Sequence, residues 1–411
     1  MPSSVLLPFE RPAGRDGSAL RAATAARVAE GRTGELIDLG ARRGSRFAVL
    51  DDASYPQVRE HLVRSILAAA TPQRADRLFP GDPQQLLRPH GGVSLGSGAA
   101  GVLWTLAELG AEVPTELVDW LEGAVDGMEG PGPGLVDGLG GIALALDRLG
   151  RREAAERAWA EVEQAPLEDL GVAMADGLAG VGLALLERAP LLDGEGTLRL
   201  LARIAHLVVD KLEQPGGRLY RPGLLHGGAG VALFLLHAYE LTAEQVLLDH
   251  AERALRRDLA HLGWPAFSAE GAPELWRSRP LLGSGSAGVV MVLHEAMTYL
   301  DAPWVFQARE SLAAACEEHV GAHAGLFHGW AGTLAAVQYV RARPWDPAAD
   351  PRAAVRPHLE RLGHPSAQAR IPYVGLEAAR SSADLGTGAA GVLLALDYLL
   401  GAEPRRLPFF W

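Results

Sequence analysis

A short glycine phrase returns seven times along this chain, and a repeat of that period has few structural solutions. Aligned on a glycine, two residues and a second glycine, the copies are LGSGAAG (95–101), LVDGLGG (135–141), MADGLAG (174–180), LLHGGAG (224–230), LLGSGSAG (281–288), LFHGWAG (326–332) and LGTGAAG (385–391). Their first glycines, Gly98, Gly138, Gly177, Gly227, Gly285, Gly329 and Gly388, stand 40, 39, 50, 58, 44 and 59 residues apart. A period of this length is one supersecondary unit repeated. The residue before each first glycine is Ser97, Asp137, Asp176, His226, Ser284, His328 or Thr387. All are short or polar, and most suit the free backbone N–H groups at a helix start, so each copy predicts one.

After each second glycine comes a nearly continuous apolar run, such as GVLWTLAEL, GVALFLLHAY and GVLLALDYL. A helix apolar around most of its circumference is buried around most of it. Between these runs lie amphipathic segments with charges, EAAERAWAEVE (153–163), TLRLLARIAHLVVDKLEQ (197–214), AEQVLLDHAERALRRDLAHL (243–262) and ARESLAAACEEHV (308–320). Their apolar residues recur at three and four, which predicts outer helices with one wet face. The expected fold is all-α: an α/α toroid, a double ring of seven inner and seven outer helices, with glycines allowing close approach at one end.

The 411 residues, 48% hydrophobic, would ordinarily divide into two or three domains. The repeat argues instead for one ring over 91–411, a helical connector over 61–90 and an N-terminal extension, 1–60, of unknown role. The closing RRLPFFW (405–411) is apolar enough to be expected on the ring. A formal charge of −12 leaves no basic footprint for nucleic acid. No apolar run approaches the roughly 20 residues of a membrane span and no secretory signal opens the chain, so a cytoplasmic location is expected. The single cysteine, Cys316, excludes an intramolecular disulfide and any cysteine-based zinc cluster.

Three copies spell G-x-G-x-x-G, at Gly96, Gly98 and Gly101, at Gly283, Gly285 and Gly288, and at Gly386, Gly388 and Gly391. Dinucleotide binding needs a preceding strand, a βαβ setting and an acidic residue about 20 positions on. That context is missing, and the repeat accounts for the pattern. A toroidal glycosidase or terpene cyclase would need paired cavity carboxylates or an Asp-rich motif; the inner motifs supply only Asp137 and Asp176.

Seven G-x-x-G copies opening inner helices, with HG-x-AG at the fourth and again at the sixth, resemble the lanthionine synthetase C-like cyclases. The resemblance covers about residues 61 to 411, and TPQRADRLFPGD (71–82) is similar to the connector between kinase and cyclase in class III lanthipeptide synthetases. It implies Michael-type addition of peptide cysteine thiols to dehydroamino acids, closing thioether rings of the lanthionine or labionin kind. It also implies a ribosomally made precursor peptide and the lyase and kinase domains of a synthetase, in the same chain or in trans, as partners. The alternative it leaves is a catalytically weak or inactive scaffold that binds precursor and those domains.

In zinc-dependent relatives two cysteines and a histidine hold the metal. The resemblance puts those cysteines at Gly283 and Phe327 here, and only the histidine, His328, remains, so neither metal nor other cofactor is expected. It also matches His226 to a histidine that acts as general acid or base, a role expected of His226 and His328 together. It matches Arg279 to an arginine able to stabilise an enolate oxygen. The family's acidic residue falls on Ala173, for which Asp176 or Asp169 is the expected substitute, with helix capping as the plainer role of Asp176. Tyr220, Ser284 and Trp330 are the expected substrate-groove residues. Cys316, His319 and His323 form a stripe on one predicted helix that is better read as a helix face near its end than as a metal site.

Overall fold

The computed structural model describes residues 50–188, 195–213, 221–265, 280–318, 323–342, 350, 352–362, 373 and 381–402. The expectations for the extension over residues 1–49 and for the tail 405–411 lie outside them. Every described residue belongs to one compact unit, Phe47–His364 with Gln368–Trp411.

In chain order the helices are α1 (Tyr55–Ala68), α2 (Gln84–Leu87), α3 (Ala99–Glu108), α4 (Thr115–Asp126), α5 (Leu139–Arg148), α6 (Arg152–Gln164) and α7 (Leu178–Arg188). They continue with α8 (Glu195–Glu213), α9 (Gly228–Thr242), α10 (Gln245–His261), α11 (Ser286–Ala296), α12 (Pro303–Glu318), α13 (Trp330–Arg341) and α14 (Ala389–Leu400). Each repeat opens one inner helix. Around the ring α3, α5, α7, α9, α11, α13 and α14 pack each on the next, and α14 closes on α3.

Behind them stand α4, α6, α8, α10 and α12; a 3-10 segment, Arg356–Leu362, takes the sixth outer place, and α1 backs α14. Tyr55, at the start of α1, donates its hydroxyl to Asp397 Oδ1 of α14 at 2.9 Å. The two layers differ as the sequence pattern requires. Inner α9 buries a continuous run from Gly228 to Ala238, whereas outer α8 buries Leu201, Ile204, Ala205, Val208 and Val209, one stripe at helical spacing.

What joins seven separate helix pairs is a belt of backbone hydrogen bonds. The residue two before each first glycine donates its N–H to the equivalent carbonyl of the next copy. The bonds run Gly96 to Val136, Val136 to Ala175, Ala175 to Leu225, Leu225 to Gly283, Gly283 to Phe327, Phe327 to Gly386 and Gly386 back to Gly96, all 2.8–2.9 Å. A closed belt leaves no unpaired edge.

The second glycine of each copy is required by this closeness. A Cβ on Gly101 would lie 1.8 Å from the carbonyl oxygen of Leu95 and 3.0 Å from Leu385 Cβ in the preceding copy around the ring. Gly141 and Gly230 meet the same pair of obstacles, Leu135 O with Leu95 Cβ and Leu224 O with Met174 Cβ. No side chain larger than hydrogen fits.

The capping expectation needs correction. The first glycine itself is the N-cap of α3, α5, α9, α11, α13 and α14. The first N–H of the helix is taken by a carbonyl seven residues upstream: Ala99 by Gly92, Leu139 by Gly132, Leu178 by Gly171, Trp330 by His323 and Ala389 by Ser382. The loop satisfies the helix end. Side chains of the residues before the glycines are thereby released for other work.

Candidate functional site

Those released side chains gather where the inner helices begin. His226 and Asp176 are open to solvent there, and Asp137, Ser284 and His328 are half-buried. Thr387 is buried and spends its hydroxyl on Asp384, 3.0 Å away. Neither imidazole is hydrogen-bonded to a described residue.

Two buried carboxylates fix the backbone under this site. Asp258, fully buried on outer helix α10, accepts N–H groups from Gly223 (3.0 Å), Gly228 and Ala229 (both 2.8 Å), so it holds both sides of the turn that carries His226. Gly223 has φ 125°, and a Cβ there would lie 2.5 Å from Gly285 N of the fifth copy. Asp384 does the same for the seventh copy, accepting from Thr387 N (2.6 Å), Gly388 N (3.1 Å) and Asp82 N (3.1 Å). Sequence reasoning missed both. For Asp258 a signal existed: it falls on the buried stripe of α10 with Leu247, Ala251, Ala254 and Leu255, where a carboxylate survives only if fully hydrogen-bonded.

The last of these bonds ties the connector to the ring. Ala383 N also donates to Pro80 O at 2.8 Å, and buried Gln85 of α2 donates Nε2 to Ser97 O of the first copy at 2.7 Å. The connector thus crosses the seam where the seventh copy meets the first. Arg88, extended because Pro89 follows it, leaves α2 there and pairs through Nη1 with Asp137 Oδ2.

The electrostatics follow from this company. Burial pushes His328 down to about 4, and the cation of Arg88 adds to the effect, with Asp82 opposing. Burial also lowers His226, although Asp176 and Asp137 oppose it. His226 touches solvent, but the protein packed around it still disfavours its charged form. Burial raises Asp137 against the pull of Arg88, and nearby Asp176 raises it further. Both histidines are therefore neutral at pH 7 and free to accept a proton.

Other sequence-predicted residues fall differently. Tyr220, Arg279 and His319 lie outside the described residues. Trp330 is 3% exposed and sits edge-on to His358 at 5.8 Å, so it packs in the core rather than on an open groove. Helix α12 ends at Glu318, and His323 lies in the loop beyond it, its carbonyl accepting from Trp330 N. Cys316 is fully buried, 3.6 Å from Ser286 Oγ, and its thiol is pushed up to about 12.

Zinc does not fit what remains. Gly283 and Phe327 are neighbours: Gly283 N donates to Phe327 O at 2.8 Å, and a Cβ built on Gly283 would lie 3.1 Å from Phe327 Cβ. That is where two ligands could converge, but these residues offer no sulfur, nitrogen or side-chain oxygen. Among the described residues no group of three His, Cys, Asp or Glu side chains is arranged to hold a metal.

A double ring of helices with histidines at the glycine end defines the class. The family model for lanthionine synthetase C-like protein matches residues 89–411, and the chain belongs to that family. A probable SapB synthase of Streptomyces coelicolor (strain ATCC BAA-471 / A3(2) / M145) is 38% identical over 386 residues, 90% of this chain and 41% of that protein. This chain thus spans well under half the length of that relative. Nisin cyclase shares the fold, with a TM-score of 0.55 over 78% of this chain and 90% of its own at 15% identity. No described helix is long and apolar enough to cross a membrane.

Proposed function

We propose that this chain is a lanthipeptide cyclase domain that closes thioether rings, of the lanthionine or labionin kind, without zinc, as class III synthetases do. The observation that carries the reading is the pair of neutral histidines without hydrogen-bond partners among the described residues, His226 and His328, beside ligand positions occupied by Gly283 and Phe327. A cysteine thiol of the precursor gives its proton to a neutral imidazole. The sulfur bonds to the β-carbon of a dehydroalanine or dehydrobutyrine, and the π pair moves onto the adjacent carbonyl as an enolate. The imidazolium then returns the proton to the α-carbon, so the step is balanced.

His226 is the better carrier. Its imidazolium faces Asp137 and Asp176, whereas that of His328 would form beside Arg88 in a more buried place. His328 then serves as a neutral hydrogen-bonding partner for thiol or carbonyl, with Asp176 supporting His226 and Ser284 at the substrate edge. Arg279 keeps the role its motif position implies, and Tyr220 its expected place in the substrate groove. Acid–base catalysis contributes about 10²–10⁴-fold, and alignment of thiol and acceptor adds more. For an already reactive acceptor this suffices.

The test combines metal analysis of the purified chain with a dehydrated precursor peptide, scored by thiol alkylation and mass spectrometry. Ring closure without zinc, lost in the His226→Ala, His328→Ala double variant, is expected. Closure at the no-enzyme rate with precursor binding retained would make the chain a scaffold for precursor and for lyase and kinase domains. Stoichiometric zinc would overturn the metal-free mechanism.

A further inference from the structure

We infer that Arg88, a connector residue one position before the family match begins, is a substrate-contacting cation of this site, binding the carbonyl oxygen on which enolate charge develops, and that Asp137 positions it. The inference rests on the cyclase reading above. Three observations carry it.

The first is anchoring. Asp384 holds Asp82 N, Ala383 N holds Pro80 O, and Gln85 holds Ser97 O, so three hydrogen bonds pin the segment that delivers Arg88. A chain merely passing over the ring would not be fixed at both the first and the seventh copy. Such anchoring is what a precisely held charge needs, because a preorganised donor acts without reorganisation during the step.

The second is valence. Only Nη1 of Arg88 is engaged, by Asp137; Nε and Nη2 donate to no described residue, and the side chain is 37% exposed. A guanidinium presents five N–H donors, so one edge is held and another is open. On the other side of the pair, Asp137 Oδ1 is buried and has no hydrogen-bond partner among the described residues, so Arg88 is the described side-chain partner of this carboxylate.

The third is company. Arg88 lies close enough to His226 and His328 for its charge to act on both, and Asp137 lies close enough to act on His226. A dehydro residue whose β-carbon faces a thiol at the histidines has its carbonyl two bonds further away. Arg88 and Arg221 are the described cations whose charge reaches both histidines, and of the two Arg88 is the one held by an ion pair to a motif residue. As the S–C bond forms, the pair leaving the C=C bond arrives on that oxygen. A fixed guanidinium therefore stabilises the transition state more than the ground state.

The experiment uses the full 411-residue chain and dehydrated precursor, measuring kcat and KM for Arg88→Ala, Asp137→Asn and, as control, Arg74→Ala. Arg74 is an exposed connector residue paired with Asp76. Expected is a loss of about 10²-fold in kcat for Arg88→Ala with KM little changed. Added guanidinium should restore part of it; Asp137→Asn should lose less, and Arg74→Ala nothing. Unchanged kcat in Arg88→Ala would overturn the inference, as would a loss matched by a lower melting temperature and unmoved by guanidinium. If wild type itself closes rings no faster than the uncatalysed peptide, the cyclase reading falls and this inference with it. If the histidine double variant is dead while Arg88→Ala is fully active, only this inference falls.

Discussion

Gly386 donates its backbone N–H to the carbonyl oxygen of Gly96 at 2.9 Å, closing a circle between residues 290 positions apart in the chain. Each member of the belt bonds the next copy, so one unbroken hoop of hydrogen bonds passes through Leu225 and Phe327, the chain neighbours of His226 and His328.

The hoop makes its glycines irreplaceable in a position-specific way. Gly332→Ala would put a Cβ 1.8 Å from Leu326 O, whereas Gly123→Ala in outer helix α4 meets nothing within 4 Å. Chemical unfolding should show Gly332→Ala destabilised by about 3 kcal/mol or more, at the upper end of overpacking costs. Gly123→Ala should be neutral or stabilising by up to about 1 kcal/mol, the difference in helix propensity.

Removing Asp258 should damage two things together. Three backbone N–H groups would lose their acceptor in a fully buried place, costing about 3 kcal/mol or more. Because those groups frame the turn of His226, Asp258→Ala should also lower ring closure in whatever fraction remains folded. Full activity in a folded Asp258→Ala chain would show that the turn holds without it.

Acid should weaken the fold through His294 at the far end of the inner helices. Arg309 Nε donates to His294 Nδ1 at 3.0 Å, which needs the lone pair of the neutral ring, and burial with Arg309 pushes His294 down to about 4. The unfolded ring titrates near 6.5, so between about pH 6.5 and 4 the unfolded chain binds more protons. Stability from this residue is therefore complete above 6.5 and declines as pH falls through the window. His294→Gln, which keeps an acceptor but cannot titrate, should flatten melting temperature against pH there.

The ligand pair should be restorable. With Gly283→Cys and Phe327→Cys, two sulfurs would project from neighbouring belt positions beside His328, a Cys₂His set of the kind zinc takes with water as fourth ligand. Under reducing conditions the double variant should bind about one zinc per chain, measured by elemental analysis after desalting. No zinc would mean that Leu225, whose Cδ1 lies 2.9 Å from a Cβ on Gly283, closes the space.

Much of this was readable from the repeat. The seven copies set seven inner helices, and the apolar runs and amphipathic segments told inner layer from outer. The histidine positions were legible because HG recurs in two copies. The contacts of Asp82 and Arg88 with the ring were not legible, because nothing local in the connector says that it returns to the seam. Capping was misread because Ser97, Asp137 and Asp176 have capping chemistry, yet loop carbonyls seven residues upstream reach the N–H groups first. Trp330, expected on the groove, follows a first glycine whose belt geometry turns the indole inward.

The sequence by itself determined the number of units, their helical type and which residues stand at each helix start, since these follow from local periodicity and from glycine where no Cβ fits. Only the tertiary structure decided which copies neighbour one another, that Gly283 and Phe327 abut without a ligating atom, that Asp258 on an outer helix holds the turn of His226, and that Arg88 in the connector pairs with Asp137. The physical reason is closure: the belt bonds and the last helix packing on the first juxtapose residues hundreds of positions apart, and no local pattern carries that information.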